Sequence, residues 1–172
     1  MSFTPDMTDL CILDILQTDA RTTNKEIASR LGKSVTSIFD RVKRLEAEGY
    51  ITGYVAVLNP GKLGSTLIAY TSVTLEGHGH DKLSSFEQKI NSFPEVLESY
   101  KMSGQFDYLL KIVIADMEAY ELFYSNKLSK LENISKIRSL FVLSETKKET
   151  GLSLKTAQHQ KDRQKKGPGL EM

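Results

Sequence analysis

Little in this sequence points to covalent or metal chemistry. The 172-residue chain has one cysteine, Cys11, so no disulfide can close within it. Cys11 lies in an apolar, helical pattern, which predicts a small buried hydrophobe rather than a reactive thiol. There are three histidines, and two of them, His78 and His80, share the stretch "GHGHD" with one carboxylate, Asp81. Remote from the cysteine, they predict a solvated loop rather than a metal site. No Gly-rich phosphate loop and no nucleophile elbow occur, so no catalytic set, metal or cofactor is expected and the chain does not read as an enzyme. No apolar run is long enough to span a bilayer, and the opening "MSFTPDMTD" is polar and acidic, unlike a secretory leader. A cytoplasmic protein with no membrane partner is expected. The net charge of +1 argues neither for nor against a polyanionic partner, so local charge must carry that question.

What is present begins with helices. Ile12, Ile15 and Leu16 recur at helical spacing, and Leu13 widens the stripe. "DAR" breaks the pattern. Thr23 and Glu26 match a capping box, which predicts a second helix from about Asn24, with Ile27, Ala28 and Leu31 inward. Gly32 stops it, and Ser34 caps a third helix running to about Gly49. "YITGYVAVLN" is β-rich and split by a glycine, as in a short hairpin or wing.

"NPGKLGS", residues 59–65, marks a boundary, with Pro and two Gly in seven positions. Beyond it the rhythm changes. "TLIAYTSVTL", "EVLESYKM", "FDYLLKIVIA" and "ISKIRSLFVLSETKK" read as strands. "DKLSSFEQKINSF" and "DMEAYELFYSNKLSKL" read as helices, the first ended by Pro94. The order β-α-β-β-α-β is the ferredoxin-like motif. "YLLKIVI" is nearly all apolar, which predicts a strand buried on both faces, by helices and by a partner subunit. Residues 155–172 lack apolar periodicity and predict a mobile basic tail, strongest in charge from Lys161 to Lys166.

The stretch "SRLGKSVTSIFDRVKRLEAEGYI" decides the functional reading. At about 100° per residue, Val35, Ile38, Val42 and Leu45 form one stripe. Thr36, Ser37, Asp40, Arg41 and Arg44 fall on the other side, with Lys33 just before them. Small residues at the helix start permit close approach to base edges, and the free N–H groups of Ser34 and its successors suit phosphate. Arg offers a two-pronged donor to guanine or a grip on phosphate. The short turn Leu31-Gly32-Lys33-Ser34 completes a helix-turn-helix with residues 34–49 as recognition helix. The alternative is a solvated face with i,i+4 pairs Asp40–Arg44 and Arg44–Glu48.

Here the residues carry a family likeness. "LQTDAR", "RVKRLEAEGYI" and "NPGKLG" resemble the N-terminal half of the Lrp/AsnC (leucine-responsive, feast/famine) family of transcription regulators. "SGQFDYLLKI" and "IRSLFVLSETKK" resemble its regulatory domain, and the resemblance spans about residues 6–154. It implies an α+β chain: a winged helix-turn-helix DNA-binding domain at 1–58, a hinge at 59–65, and a ferredoxin-like amino-acid-sensing and oligomerisation domain at 66–154. It implies dimers assembling into tetramers or octamers on double-stranded DNA, associated with the nucleoid. It also implies a small amino-acid effector bound between dimers. The effector loop corresponds to Ser103-Gly104-Gln105-Phe106-Asp107, where Gln105 replaces the usual acidic residue. Tyr100, Met117, Leu140 and Phe141 are the further pocket candidates. Chemically, Gly104 leaves amides open to a carboxylate, and Asp107 suits an ammonium; a plain hairpin turn is the alternative. The functional rivals are an architectural, weakly specific DNA-binding protein of the same fold and a ligand-binding ferredoxin-like protein with no DNA role.

Overall fold

The computed structural model describes residues 3–64 and 67–154. Residue 65, the last of the expected hinge, residue 66, the first of the expected ferredoxin-like domain, and the expected basic tail at 155–172 lie outside the described residues. The chain divides into two compact units, Met1–Val57 with Lys147–Met172, and Leu58–Thr146.

The first unit holds α1 (Met7–Thr18), α2 (Asn24–Leu31) and α3 (Val35–Ala47). Each start is fixed by a side-chain cap. Thr23 Oγ1 accepts from the Glu26 amide at 3.3 Å, and Glu26 Oε2 accepts from the Thr23 amide at 2.7 Å. Ser34 Oγ accepts from the Ser37 amide. Asp6 and Asp9 form a second reciprocal box at the start of α1, one that sequence reading missed. Gly32 ends α2 at φ 61°, ψ 40°, the left-handed region that costs glycine least. Ile12, Leu16, Ile27, Ala28, Ile38, Val42 and Leu45 form the core.

Three expectations are corrected here. Cys11 is exposed, because the buried face of α1 is set by Asp9, Ile12 and Leu16. Val35 is 48% exposed, because as the first residue of α3 it projects beyond the stripe that packs on α1 and α2. The segment 51–59 forms no strand. Its Tyr54, Val55, Val57 and Leu58 are exposed, and β propensity yields a ladder only where a second backbone stands ready to pair. The third helix stops at Ala47, two residues before Gly49. From residue 147 the chain groups with this unit, and the Leu152 backbone exchanges two hydrogen bonds with Gln17 of α1, at 2.8 and 2.9 Å.

In the second unit a 3-10 turn at Pro60–Lys62 is followed by β1 (Leu67–Leu75), α4 (His80–Asn91), β2 (Val96–Lys101), β3 (Tyr108–Ile114), α5 (Met117–Asn126), a 3-10 turn (Leu128–Lys130) and β4 (Ile134–Phe141). The sheet order is β2-β3-β1-β4, with antiparallel neighbours throughout. That is the ferredoxin-like arrangement the element order predicts. Alternate residues of β1 and β3, including Ala69, Val73, Leu110 and Ile112, pack on Phe86 and Ile90 of α4 and on Tyr120 and Phe123 of α5. The polar Thr71 is buried in this layer and shares its hydroxyl with Tyr120 and Ser139. Within one chain β3 is buried on its helix-facing side: Tyr108, Leu110 and Ile112 are covered, whereas Leu109, Lys111 and Val113, on the side expected to meet a partner subunit, are half-exposed. Both helices lie on one side, so one chain covers only one face of its sheet.

Candidate nucleic-acid interface and ligand site

Gly32 turns left-handed at the end of α2, and Ser34 caps the start of α3 two residues later. Lys33, Ser34, Thr36 and Asp40 are exposed, and Ser37 is half-buried. Arg41 and Arg44 point elsewhere. Arg41 Nη1 lies 2.7 Å from both Asp6 Oδ2 and Asp9 Oδ1. Arg44 Nη2 lies 3.3 Å from Asp9 Oδ2, and its guanidinium stacks over the Phe3 ring at 4.4 Å. Arg44 therefore pairs across to α1 rather than with Asp40 or Glu48. Asp9 is 1% exposed, so two guanidinium groups neutralise a carboxylate that could not otherwise sit there. Burial pushes the Asp6 carboxyl up; the Asp9 amide and the Arg41 guanidinium more than reverse this, and its pKa lies below the usual aspartate value. The Asp6 hydrogen bond, then that of Asp9, raises the Arg41 pKa. Sequence reading missed this network, although an Asp-x-x-Asp capping box at 6–9 was a visible signal for it. It also missed Phe39 and Lys43. Phe39 is 44% exposed, with the Lys43 ammonium 4.7 Å from its ring centroid. The helical projection alone puts Lys43 beside Thr36 on the outer face.

In the second unit the ligand candidates fall in three places. The first is the β2–β3 loop. Gly104 adopts φ 138°, and the amides of residues 103–106 donate to no acceptor among the described residues. Asp107 closes the loop: its Oδ2 accepts from the Leu75 amide at 2.7 Å, and its Oδ1 lies 2.8 Å from His78 Nε2. The Leu75 amide lowers the Asp107 pKa most; partial burial opposes this and His78 adds to the lowering, leaving the carboxyl below its ordinary range. Asp107 is thus engaged within its own chain, by groups outside the loop, which is neither a free partner for an ammonium nor a self-contained turn. "GHGHD" is accordingly not wholly solvated, since His78 anchors Asp107 while His80 stays exposed.

The second place is a cleft of about 410 Å³ between α5 and β4. Met117 and Phe141 line it with Tyr120, Tyr124 and Ile137, and Ser139 and Glu121 supply its polar edge. The third is the open face of the sheet. Leu140 pairs with Tyr70, and Tyr100 pairs with Leu109 on that face, where the Tyr100 hydroxyl donates to Glu98. Phe141 sits opposite Ala69 and Tyr108 opposite Val73, so loop and cleft are four residues apart along β1, about 13 Å at the strand rise. No free amino acid spans that, and one chain does not bring these candidates together. A larger cleft of about 760 Å³ between α4 and the end of α5 contains none of them. Among the described residues no three side chains cluster as metal ligands, and no helix is long and apolar enough to cross a membrane.

Residues 6–52 match the family model for a winged helix-turn-helix DNA-binding domain, and residues 68–152 match that for the Lrp/AsnC ligand binding domain. The leucine-responsive regulatory proteins of Escherichia coli K12 and Klebsiella pneumoniae are each 37% identical over 151 residues, covering 88% of this chain and 92% of theirs. Among solved structures, a transcriptional regulator of Neisseria meningitidis in complex with L-Met superposes with a TM-score of 0.85 at 33% identity, covering 90% of this chain and 99% of that one. An AsnC family transcriptional regulator from Agrobacterium tumefaciens gives 0.83 at 35% identity, covering 88% and 99%. With a capped helix-turn-helix in one unit, a ferredoxin-like sheet in the other and relatives matched over nearly their full length, the chain belongs to the Lrp/AsnC family and is a ligand-modulated transcription regulator.

Proposed function

We propose that this chain binds double-stranded DNA sequence-specifically as a homodimer, and that a free amino acid shifts its DNA affinity or its assembly. The observation that carries this reading is the exposed tip of α3 beyond the left-handed Gly32. Ser34 and Thr36 are small enough to admit base edges, Ser37 flanks them, and Lys33 meets phosphate. Asp40 favours a cytosine amino group. Arg41 and Arg44 hold the helix from behind through Asp6 and Asp9. A two-fold axis sets two such helices against a near-palindromic operator. DNA as ligand would place the protein with the nucleoid in the cytoplasm, with residues 59–65 as the hinge between its two functions.

The half-exposed sheet face, with Tyr70, Tyr100, Leu109 and Leu140, supports a dimer made by apposing two sheets. Higher assembly into tetramers or octamers supplies the second chain that the ligand site needs. The loop amides of Ser103, Gly104, Gln105 and Phe106, held in place by Asp107, take the effector carboxylate. Met117, Phe141 and the aromatic cleft of another chain take an aliphatic or thioether side chain.

The test is selection of duplexes from a random pool, then anisotropy titration at one fixed salt with each of the twenty amino acids. The expected result is a preference of about a thousandfold or more over random duplex, moved by one class of amino acid. A specificity ratio near one points instead to an architectural protein, and absence of duplex binding ends the reading.

A further inference from the structure

The outward face of α3 offers Lys43 but no arginine free of an ion pair. Arg41 and Arg44 are committed to Asp6 and to the buried Asp9, and drawing Arg41 out to a base would strip a buried carboxylate of its closest partner. What α3 presents along one ridge is Val35, Phe39 and Lys43, spaced i, i+4, i+8. Val35 and Phe39 are large apolar side chains at the rim of the helix's core-facing stripe, yet they are left 48% and 44% exposed. The Lys43 ammonium, over the Phe39 ring, restricts it and adds positive charge to the same ridge.

The major groove carries one apolar feature, the C5-methyl group of thymine. We infer that Phe39, flanked by Val35, is a specificity-determining residue that reads thymine methyl groups in the operator. This rests on the DNA-binding reading above and names what that interface discriminates. Selection arises because the ring gains where a methyl is present and buries itself against polar edges where it is absent. The aromatic ring cannot make that contact from a buried position, so its exposure is part of the device rather than a defect of packing.

The experiment uses the full chain and the operator it selects. Each thymine is replaced in turn by deoxyuridine, which removes only the methyl group. Wild-type binding should weaken about fourfold at one or two positions per half-site, the effect of losing one buried methyl. Phe39→Ala should bind the thymine and uracil duplexes equally, with its affinity for random duplex changed less than twofold. Phe39→Leu should restore part of the thymine preference. Circular dichroism should be unchanged in both variants and melting should shift little, since Phe39 is 44% exposed and lies outside the buried core cluster. If wild type selects an operator yet ignores the uracil changes, or Phe39→Ala keeps the preference, the inference fails while the regulator reading stands. If Phe39→Ala instead alters the sedimentation mass with discrimination intact, the ridge is a protein contact and the inference is overturned. If no operator is selected at all, both fall together.

Discussion

Arg41 Nη1 lies 2.7 Å from Asp9 Oδ1, joining the middle of α3 to the first turn of α1 across 32 residues of sequence. Asp9 also caps its own helix, accepting from the Asp6 amide at 3.0 Å. One buried carboxylate therefore fixes a helix start and the angle of the recognition helix together. An arginine read from sequence as a DNA contact is held by two carboxylates of its own chain.

Arg41→Ala should accordingly destabilise the DNA-binding unit by about 2–3 kcal/mol, because a buried carboxylate loses its closest charged donor while Arg44 remains. Urea unfolding followed by helical circular dichroism measures this. A stability loss under about 0.5 kcal/mol together with selective loss of operator binding would return Arg41 to the DNA face.

Gly32→Ala should cost about 1–2 kcal/mol. A Cβ at this glycine meets nothing within 4 Å, so the penalty comes from the left-handed backbone alone. Gly32→Asn, better tolerated in that region, should cost less. Equal stability of all three proteins in thermal unfolding would mean that the turn relaxes out of the left-handed conformation.

Asp107 sets an acid dependence. Its folded pKa lies below the ordinary value of 3.8, so its stabilising contribution is present above 3.8 and is lost as pH falls through the lower folded value. Asp107→Asn keeps an acceptor for the Leu75 amide but does not titrate. It should flatten the acid limb of the melting profile below about pH 4. Superimposable acid limbs for the two proteins would show that Asp107 does not titrate in this window.

Leu140 is 66% exposed on the open face of the sheet. Leu140→Asp should leave the fold intact and shift the sedimentation mass toward a single chain, since a charge at the centre of an apolar interface carries a desolvation cost with no partner. An unchanged mass would mean that copies associate through another surface.

The second unit was legible because its signals are repetitive. β-branched and aromatic residues along β1 and the apolar positions of α4 and α5 indicate the element order, and that order leaves few topologies. The site was less legible. Leu140 and Phe141 are neighbours in sequence, yet the pleat sends one to the open face and the other to the cleft. Tyr100 and Phe141 came as members of one pocket, although they lie on opposite faces of one sheet.

By itself the sequence determined what acts within about four residues: the Thr23–Glu26 box, the Ser34 cap, the Gly32 stop, and the stripes that become cores. These depend on backbone geometry and side-chain reach, which are the same wherever the segment lies. Only the tertiary structure decided that Arg41 faces Asp9, that Asp107 holds Leu75 and His78, that Cys11 and Val35 are exposed, and that residues 51–59 form no strand. Charged and apolar side chains have many acceptable partners in solution, and only the assembled chain brings one of them within bonding distance.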